Sequence, residues 1–265
     1  MLRRLKDAAR HLLYGRCGWQ PTVEVAHPTP WDYVQKEVEL NLHRYLATES
    51  AAIQSIIIVG AHEAYEVDRM LSTFPKAEFL IFEPSTRYFQ SLCQRFQNQR
   101  RVSCFEKALT DSVGQATFYE TSLVGSGSLL RHAPAAERDY GLKSAETFDV
   151  ETTTLDQFLS QSQEGNMDTD LLWCDVQGAE LQVLRGATRM LGRCSAVFLE
   201  VAVWERTYVG AALWPEITAF LAAYGFVPCL LGVGASNGTG NAMFIHPGRR
   251  KTRPQEQSQE TRQDV

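Results

Sequence analysis

The stretch Leu171-Leu172-Trp173-Cys174-Asp175-Val176-Gln177-Gly178-Ala179-Glu180-Leu181-Gln182-Val183-Leu184 changes its period half-way along. Its first four residues are an unbroken apolar run, which suits a parallel strand buried on both faces. From Leu181 onward, Leu184, Ala187 and Leu191 recur at the spacing of one helix face. Between the two, Asp175 emerges at the end of the strand and Gly178 permits a tight strand-to-helix turn. Strand, turn and helix in this order predict one unit of a doubly wound α/β domain. In such sheets the ligand binds beyond the carboxyl ends of the strands.

The same alternation extends in both directions. Upstream, Ile56–Val59 is a β-branched run ended by Gly60, and Phe79–Phe82 is a second strand closed by Glu83-Pro84. Phe89, Leu92, Cys93 and Phe96 mark a helix face, and Val102–Phe105 reads as a third strand. Downstream, Ala196–Leu199 is a strand ending at Glu200. Pro215 suits the first turn of a helix with Ile217, Phe220, Leu221 and Tyr224 on its apolar face and Gly225 as its stop. Phe226–Leu231 and Ala242–Ile245 are close enough to pair as a hairpin around 232–240. This pattern predicts a mainly parallel sheet with helices on both sides. An insert at about 107–165 carries strand-like pieces at Ala116–Tyr119 and Phe148–Thr153 and a helix after Thr154. Its Gly125-Ser126-Gly127-Ser128 loop reads as a flexible turn or as a cover over substrate.

Residues 1–50 read as a helical extension, 51–248 as the main domain and 249–265 as a polar, disordered tail. In the extension, Trp31, Val34, Val38, Leu42 and Tyr45 fall at helical spacing. Nearer the start, Leu2, Leu5, Ala9, Leu12 and Leu13 share a face away from Arg3, Arg4, Lys6 and Arg10, so that helix packs on its own domain or lies on a membrane surface. No apolar run reaches the roughly 18–20 residues that span a bilayer.

Hydrophobic residues make up 44% of the chain and charged residues 22%, the balance of a water-soluble globular domain. The formal net charge of -5 provides no basic field for nucleic acid, so the expected partner is a small molecule or a glycan. The six cysteines include no Cys-x-x-Cys pair and no spacing for zinc, and no metal is expected. Reduced, buried thiols of this kind fit a cytoplasmic protein.

Three segments carry candidate chemistry. Gly60-Ala61-His62-Glu63-Ala64 follows the first strand. Glu83 lies 23 residues beyond Gly60, where a carboxylate can accept from both hydroxyls of a ribose, or simply stand as a solvated strand-end acid. Asp175 either caps the following helix or points into the crevice, and Glu180 suits the first helical turn. Asp175 is the first candidate for a general base, with His62 and His132 behind it. The loop lacks Gly-x-Gly-x-x-Gly, which argues against a nicotinamide-dependent oxidoreductase.

Phe82-Glu83-Pro84, Thr154-Leu155-Asp156, the run from Asp170 to Ala187 and Phe198-Leu199-Glu200-Val201 together resemble the FkbM family of S-adenosylmethionine-dependent methyltransferases, over about 53–246. The resemblance implies a Rossmann-like class I methyltransferase fold, with a mostly parallel seven-stranded sheet and an antiparallel last strand. It implies S-adenosylmethionine as cofactor and O-methylation of a hydroxyl on a sugar or related metabolite. Carried over by position, Gly60 and Ala61 match the cofactor loop, Glu83 the ribose acid, and Asp175 and Glu180 the motif after the fourth strand of the sheet. The family usually has an acid two residues before the loop glycine, where this chain has Ile58. It usually has a further glycine where Ala64 stands, and often a lysine in place of Trp173. The first change removes a carboxylate that helps hold the methionine end of the cofactor, and the second narrows the loop. Both motivate an alternative, a non-catalytic binding module of the same fold with a degenerate cofactor loop.

Overall fold

The computed structural model describes residues 53–162, 168–233 and 238–249. The N-terminal extension, residues 234–237 of the hairpin loop and the tail beyond 249 lie outside these, and with them the two N-terminal helical stripes and the membrane-surface contact. Arg249, which the sequence assigns to the tail, is part of the fold. It closes a 3-10 turn and its guanidinium donates to the carbonyls of Leu191 and Cys194.

The chain runs β1 (Ser55–Val59), α1 (Tyr65–Thr73), β2 (Glu78–Phe82), α2 (Thr86–Phe96) and β3 (Val102–Phe105). The insert contributes β4 (Ala108–Leu109), β5 (Gly114–Thr121), α3 (Pro134–Tyr140), β6 (Ser144–Thr153) and α4 (Leu155–Gln161). Then follow β7 (Thr169–Cys174), α5 (Glu180–Arg185), α6 (Thr188–Leu191), β8 (Cys194–Ala202), α7 (Trp214–Ala223), β9 (Val227–Val233) and β10 (Thr239–Ile245). The main sheet has seven strands in the order β3-β2-β1-β7-β8-β10-β9. All its pairings are parallel except those of β10, which runs antiparallel to both β8 and β9. This is the Rossmann-like class I methyltransferase architecture that the resemblance implies.

Alternate residues of the central strands enter different cores, as the pleat requires. Ile56 and Ile58 of β1 join Phe79, Ile81, Trp173 and Phe198 on the face covered by α1 and α2. Ile57 and Val59 join Leu80, Phe82, Leu172 and Cys174 under α5, α6 and α7. Each fully buried side chain of this size stabilises the fold by about 1.5–3 kcal/mol against exposure. Burial on both faces is why these strands read as continuous apolar runs rather than alternating ones.

Where the sequence reads one helical stripe through Leu191, the structure has two short helices. Asp156 explains the break, because its carboxylate accepts from the backbone N–H groups of Arg189 and Met190 and from the Thr188 hydroxyl, capping α6 separately. Thr154 caps α4 in the same way through Gln157 N. The insert forms a second sheet in the order β4-β6-β5. Sequence reasoning missed α3, although its signal was there in Pro134 at the first turn and Gly141 in a left-handed stop.

The order of strands reverses between the parallel neighbours β1 and β7, so the loops after these two strands adjoin at the carboxyl edge. Asp175 N donates to Val59 O at 3.0 Å. Gly60 has φ 78°, and a Cβ there would stand 1.8 Å from the Asp175 carbonyl oxygen. Only glycine fits this crossing.

Candidate active site

Two cavities open at this switch point. The first lies between the β1 and β2 ends and the insert, and is lined by Gly60, His62, Glu83, Tyr88, Phe118 and Asp175 among others. The second, larger one lies beyond β7, β8 and β10, and includes Glu180, Glu200, Tyr208 and Asn241. Gly125, Asp175 and Gln177 line both. These three residues therefore form the wall between the first cleft and the second chamber.

Glu83 ends β2 and is buried. Its Oε2 accepts from His62 N at 2.7 Å and its Oε1 from Ser85 N at 2.9 Å, which fixes the carboxylate while leaving a lone pair on each oxygen. Burial pushes its pKa up to about 7 in spite of those bonds. Asp175 ends β7, and burial likewise raises its pKa.

Gln177 takes a left-handed backbone, φ 55°. Its amide nitrogen donates to Asp175 Oδ1 at 2.8 Å and to Glu200 Oε2 at 3.0 Å. Its carbonyl oxygen lies 2.8 Å from the Tyr208 hydroxyl, which is also 3.0 Å from Ser126 O. Sequence reasoning assigned no role to Gln177, Glu200 or Tyr208. A signal existed for Glu200, an acid directly after the apolar run Ala196–Leu199, as Asp175 is after Leu171–Cys174. Tyr208 lies in an irregular segment with no periodicity to reveal it.

Glu180 faces the second chamber rather than the cofactor cleft. Its Oε1 accepts from Val176 N and Gly178 N, both at 3.1 Å, so it ties the Asp175–Gly178 turn together. Burial pushes its pKa up to about 7. Carboxylate oxygens of Asp175, Glu180 and Glu200 lie within 4.8 Å of one another, a spacing compatible with shared protons or with a divalent cation.

Of the cofactor-loop residues, Gly60 and His62 line the cleft, whereas Ala61 is buried in the core. Ala64 adopts φ 50°, the left-handed conformation that favours glycine, while its methyl packs in the core. Ile58 is fully buried and reaches neither cavity. His132 is held by Glu137 at 3.1 Å and lines neither cavity.

The Gly125–Ser128 segment is tied down. Ser128 Oγ donates to Gln177 O at 2.8 Å, and Ser128 pairs with Tyr119 through both backbone groups. It forms a strap across the cofactor cleft.

The family model of the FkbM methyltransferase domain matches residues 59–228, from the last residue of β1 to the start of β9, and takes in every residue of the wall. The chain belongs to the FkbM methyltransferase family. It is 27% identical over 174 residues to the 2-O-methyltransferase NoeI of Sinorhizobium fredii, covering 63% of this chain and 71% of that protein. Among solved structures, a putative O-methyltransferase from Klebsiella pneumoniae is similar with a TM-score of 0.46 and 14% identity, covering 92% of this chain and 88% of that one. The N-methyltransferase NodS from Bradyrhizobium japonicum gives 0.42 and 12%, covering 83% of this chain and 99% of that one. As a member of this family the chain is a methyltransferase. No helix of the described residues is long and apolar enough to cross a membrane.

Proposed function

We propose that this FkbM methyltransferase transfers a methyl group from S-adenosylmethionine to a hydroxyl of a sugar or a related hydroxylated metabolite. The observation that carries the proposal is Asp175, a half-buried carboxylate in the wall shared by the cofactor cleft and the second chamber. When bound, S-adenosylmethionine supplies an electrophilic methyl group. The residues present fit it: Gly60 forms the tight turn, Glu83 offers two fixed acceptor oxygens for a ribose diol, and His62 Nε2 is a buried polar atom with no protein partner.

The acceptor chamber is the larger cavity. Asp175 takes the proton of the acceptor hydroxyl as general base, and the Gln177 amide holds it in place beside Glu200. Much of the remaining work is alignment of the hydroxyl with the methyl carbon, which the common wall makes possible. The chamber is lined by three carboxylates and, among the described residues, by no lysine, arginine or histidine. With no cation to pair with an anion, this lining favours uncharged polyols over phosphorylated or carboxylated acceptors. That the relative NoeI is a 2-O-methyltransferase supports a hydroxyl acceptor.

The binding-module alternative rests on Ile58 and Ala64. Both have a packing explanation, so neither argues for a lost cofactor site. Titration calorimetry with S-adenosylhomocysteine, followed by transfer of label from S-adenosylmethionine to neutral glycosides, tests the proposal. Absence of binding at millimolar ligand refutes it.

A further inference from the structure

His62 is constrained from several sides. Its backbone is left-handed at φ 48°, where non-glycine residues are uncommon and histidine is among the enriched ones. Its N–H donates to Glu83 Oε2, and its ring lies on Tyr88 with the centroids 3.9 Å apart. The strap closes over another edge, since a Cβ built on Gly125 would stand 3.9 Å from Cε1 of the imidazole.

Within this enclosure Nε2 is shielded from solvent and has no hydrogen-bond partner. Leaving a buried polar atom unsatisfied costs about 1–3 kcal/mol. Native structures rarely tolerate one without strain, chemistry or a ligand to explain it. A role as base toward the acceptor does not explain it, because His62 lines the cofactor cleft and not the acceptor chamber. Burial, with Arg87 assisting and Glu63 opposing, holds the imidazole below its usual pKa and so in the neutral form. Neutral imidazole can either donate to a hydroxyl or accept from one.

We infer that His62 is a cofactor-contact residue, its Nε2 hydrogen-bonding a ribose hydroxyl of the nucleoside that Glu83 holds from the other side. This rests on the cofactor reading above and deepens it, placing His62 at the ribose rather than at the reacting methyl.

The test is calorimetric titration of the wild type, His62→Phe and His62→Asn with S-adenosylhomocysteine and, separately, with adenosine. Phenylalanine keeps a ring on Tyr88 and removes both nitrogens. Asparagine keeps the left-handed backbone and withdraws the imidazole, so it serves if the first variant fails to fold. Melting of the free proteins checks the fold. The expected result is about tenfold weaker binding of both ligands by the variants. Equal affinity of variant and wild type for both ligands overturns the inference. Loss confined to S-adenosylhomocysteine, with adenosine unaffected, overturns the ribose assignment. No binding of S-adenosylhomocysteine by the wild type refutes the cofactor reading itself, a different failure.

Discussion

Ile58 of β1 and Trp173 of β7 are register partners on adjacent parallel strands, and both are buried in the same core. Trp173 in turn stacks on Phe198 of β8 with ring centroids 4.1 Å apart. These are two positions at which the chain departs from the family pattern of an acid in the first strand and a lysine in the seventh. The departures are one event in space: an apolar pair stands where the pattern has opposite charges. The two side chains fill one patch of the core, and neither lines either cavity.

Restoring only the acid should therefore be costly. Ile58→Asp is expected to destabilise the protein by more than about 4 kcal/mol, because it buries an unpaired charge among hydrocarbons. Adding Trp173→Lys should recover part of that loss, seen as a favourable coupling in a double-mutant cycle of urea unfolding. Additive losses would mean that the two positions do not share a site.

Asp175→Asn should lower kcat about 100-fold by removing the base. S-adenosylhomocysteine affinity should change by less than about threefold, since asparagine keeps the shape of the wall. Labelled transfer and calorimetry measure the two separately.

Cofactor binding should depend on pH through Glu83. Its carboxyl, raised to about 7 by burial, is partly protonated near neutrality, and a ribose diol prefers the ionised form. Affinity for S-adenosylhomocysteine should rise from pH 5.5 to about 7 and level off above. Glu83→Gln should bind about tenfold more weakly at pH 8 and lose the rise.

Glu180 should make the fold less stable at neutral pH than in mild acid. The folded carboxyl keeps its proton up to about pH 7, whereas the unfolded one releases it near 4.5. Between those values the folded state binds more protons, so stability falls as pH rises through the window, by up to roughly 3 kcal/mol. Glu180→Gln keeps an acceptor for Val176 N and Gly178 N and should flatten the decline in unfolding free energy between pH 5 and 8. The decline should persist in part, because Glu83, Asp175 and Glu200 are shifted in the same direction.

Asp156 supplies structure alone. Asp156→Ala, which uncaps α6, should cost about 2 kcal/mol in thermal or urea unfolding. Affinity for S-adenosylhomocysteine should stay at the wild-type value, since Asp156 lines neither cavity.

The strands of the sheet were legible because burial on both faces leaves an unmistakable apolar run, as in Ile56–Val59 and Leu171–Cys174. The places of Asp175 and Glu83 at the carboxyl edge of the sheet were legible because each directly follows an apolar strand. The links between them were not. Gln177 reaches Glu200 across 23 positions and Tyr208 across 31, and no local pattern reports contacts of that range. Nor does composition tell a cavity-lining histidine from a solvated one; His62 and His132 look alike in sequence and stand in different surroundings.

The Tyr208 hydroxyl has one proton and two acceptors within reach, Gln177 Oε1 and the strap carbonyl of Ser126. It can serve only one at a time. An acceptor molecule that engages this hydroxyl or the Gln177 amide alters how firmly the strap is held over the neighbouring cleft. Binding free energies are reciprocal, so the cofactor must then influence acceptor affinity by the same factor. On the proposed function, this hydroxyl is the one proton that touches both the strap and the wall, so a difference in acceptor affinity with and without S-adenosylhomocysteine would measure the link between the two compartments.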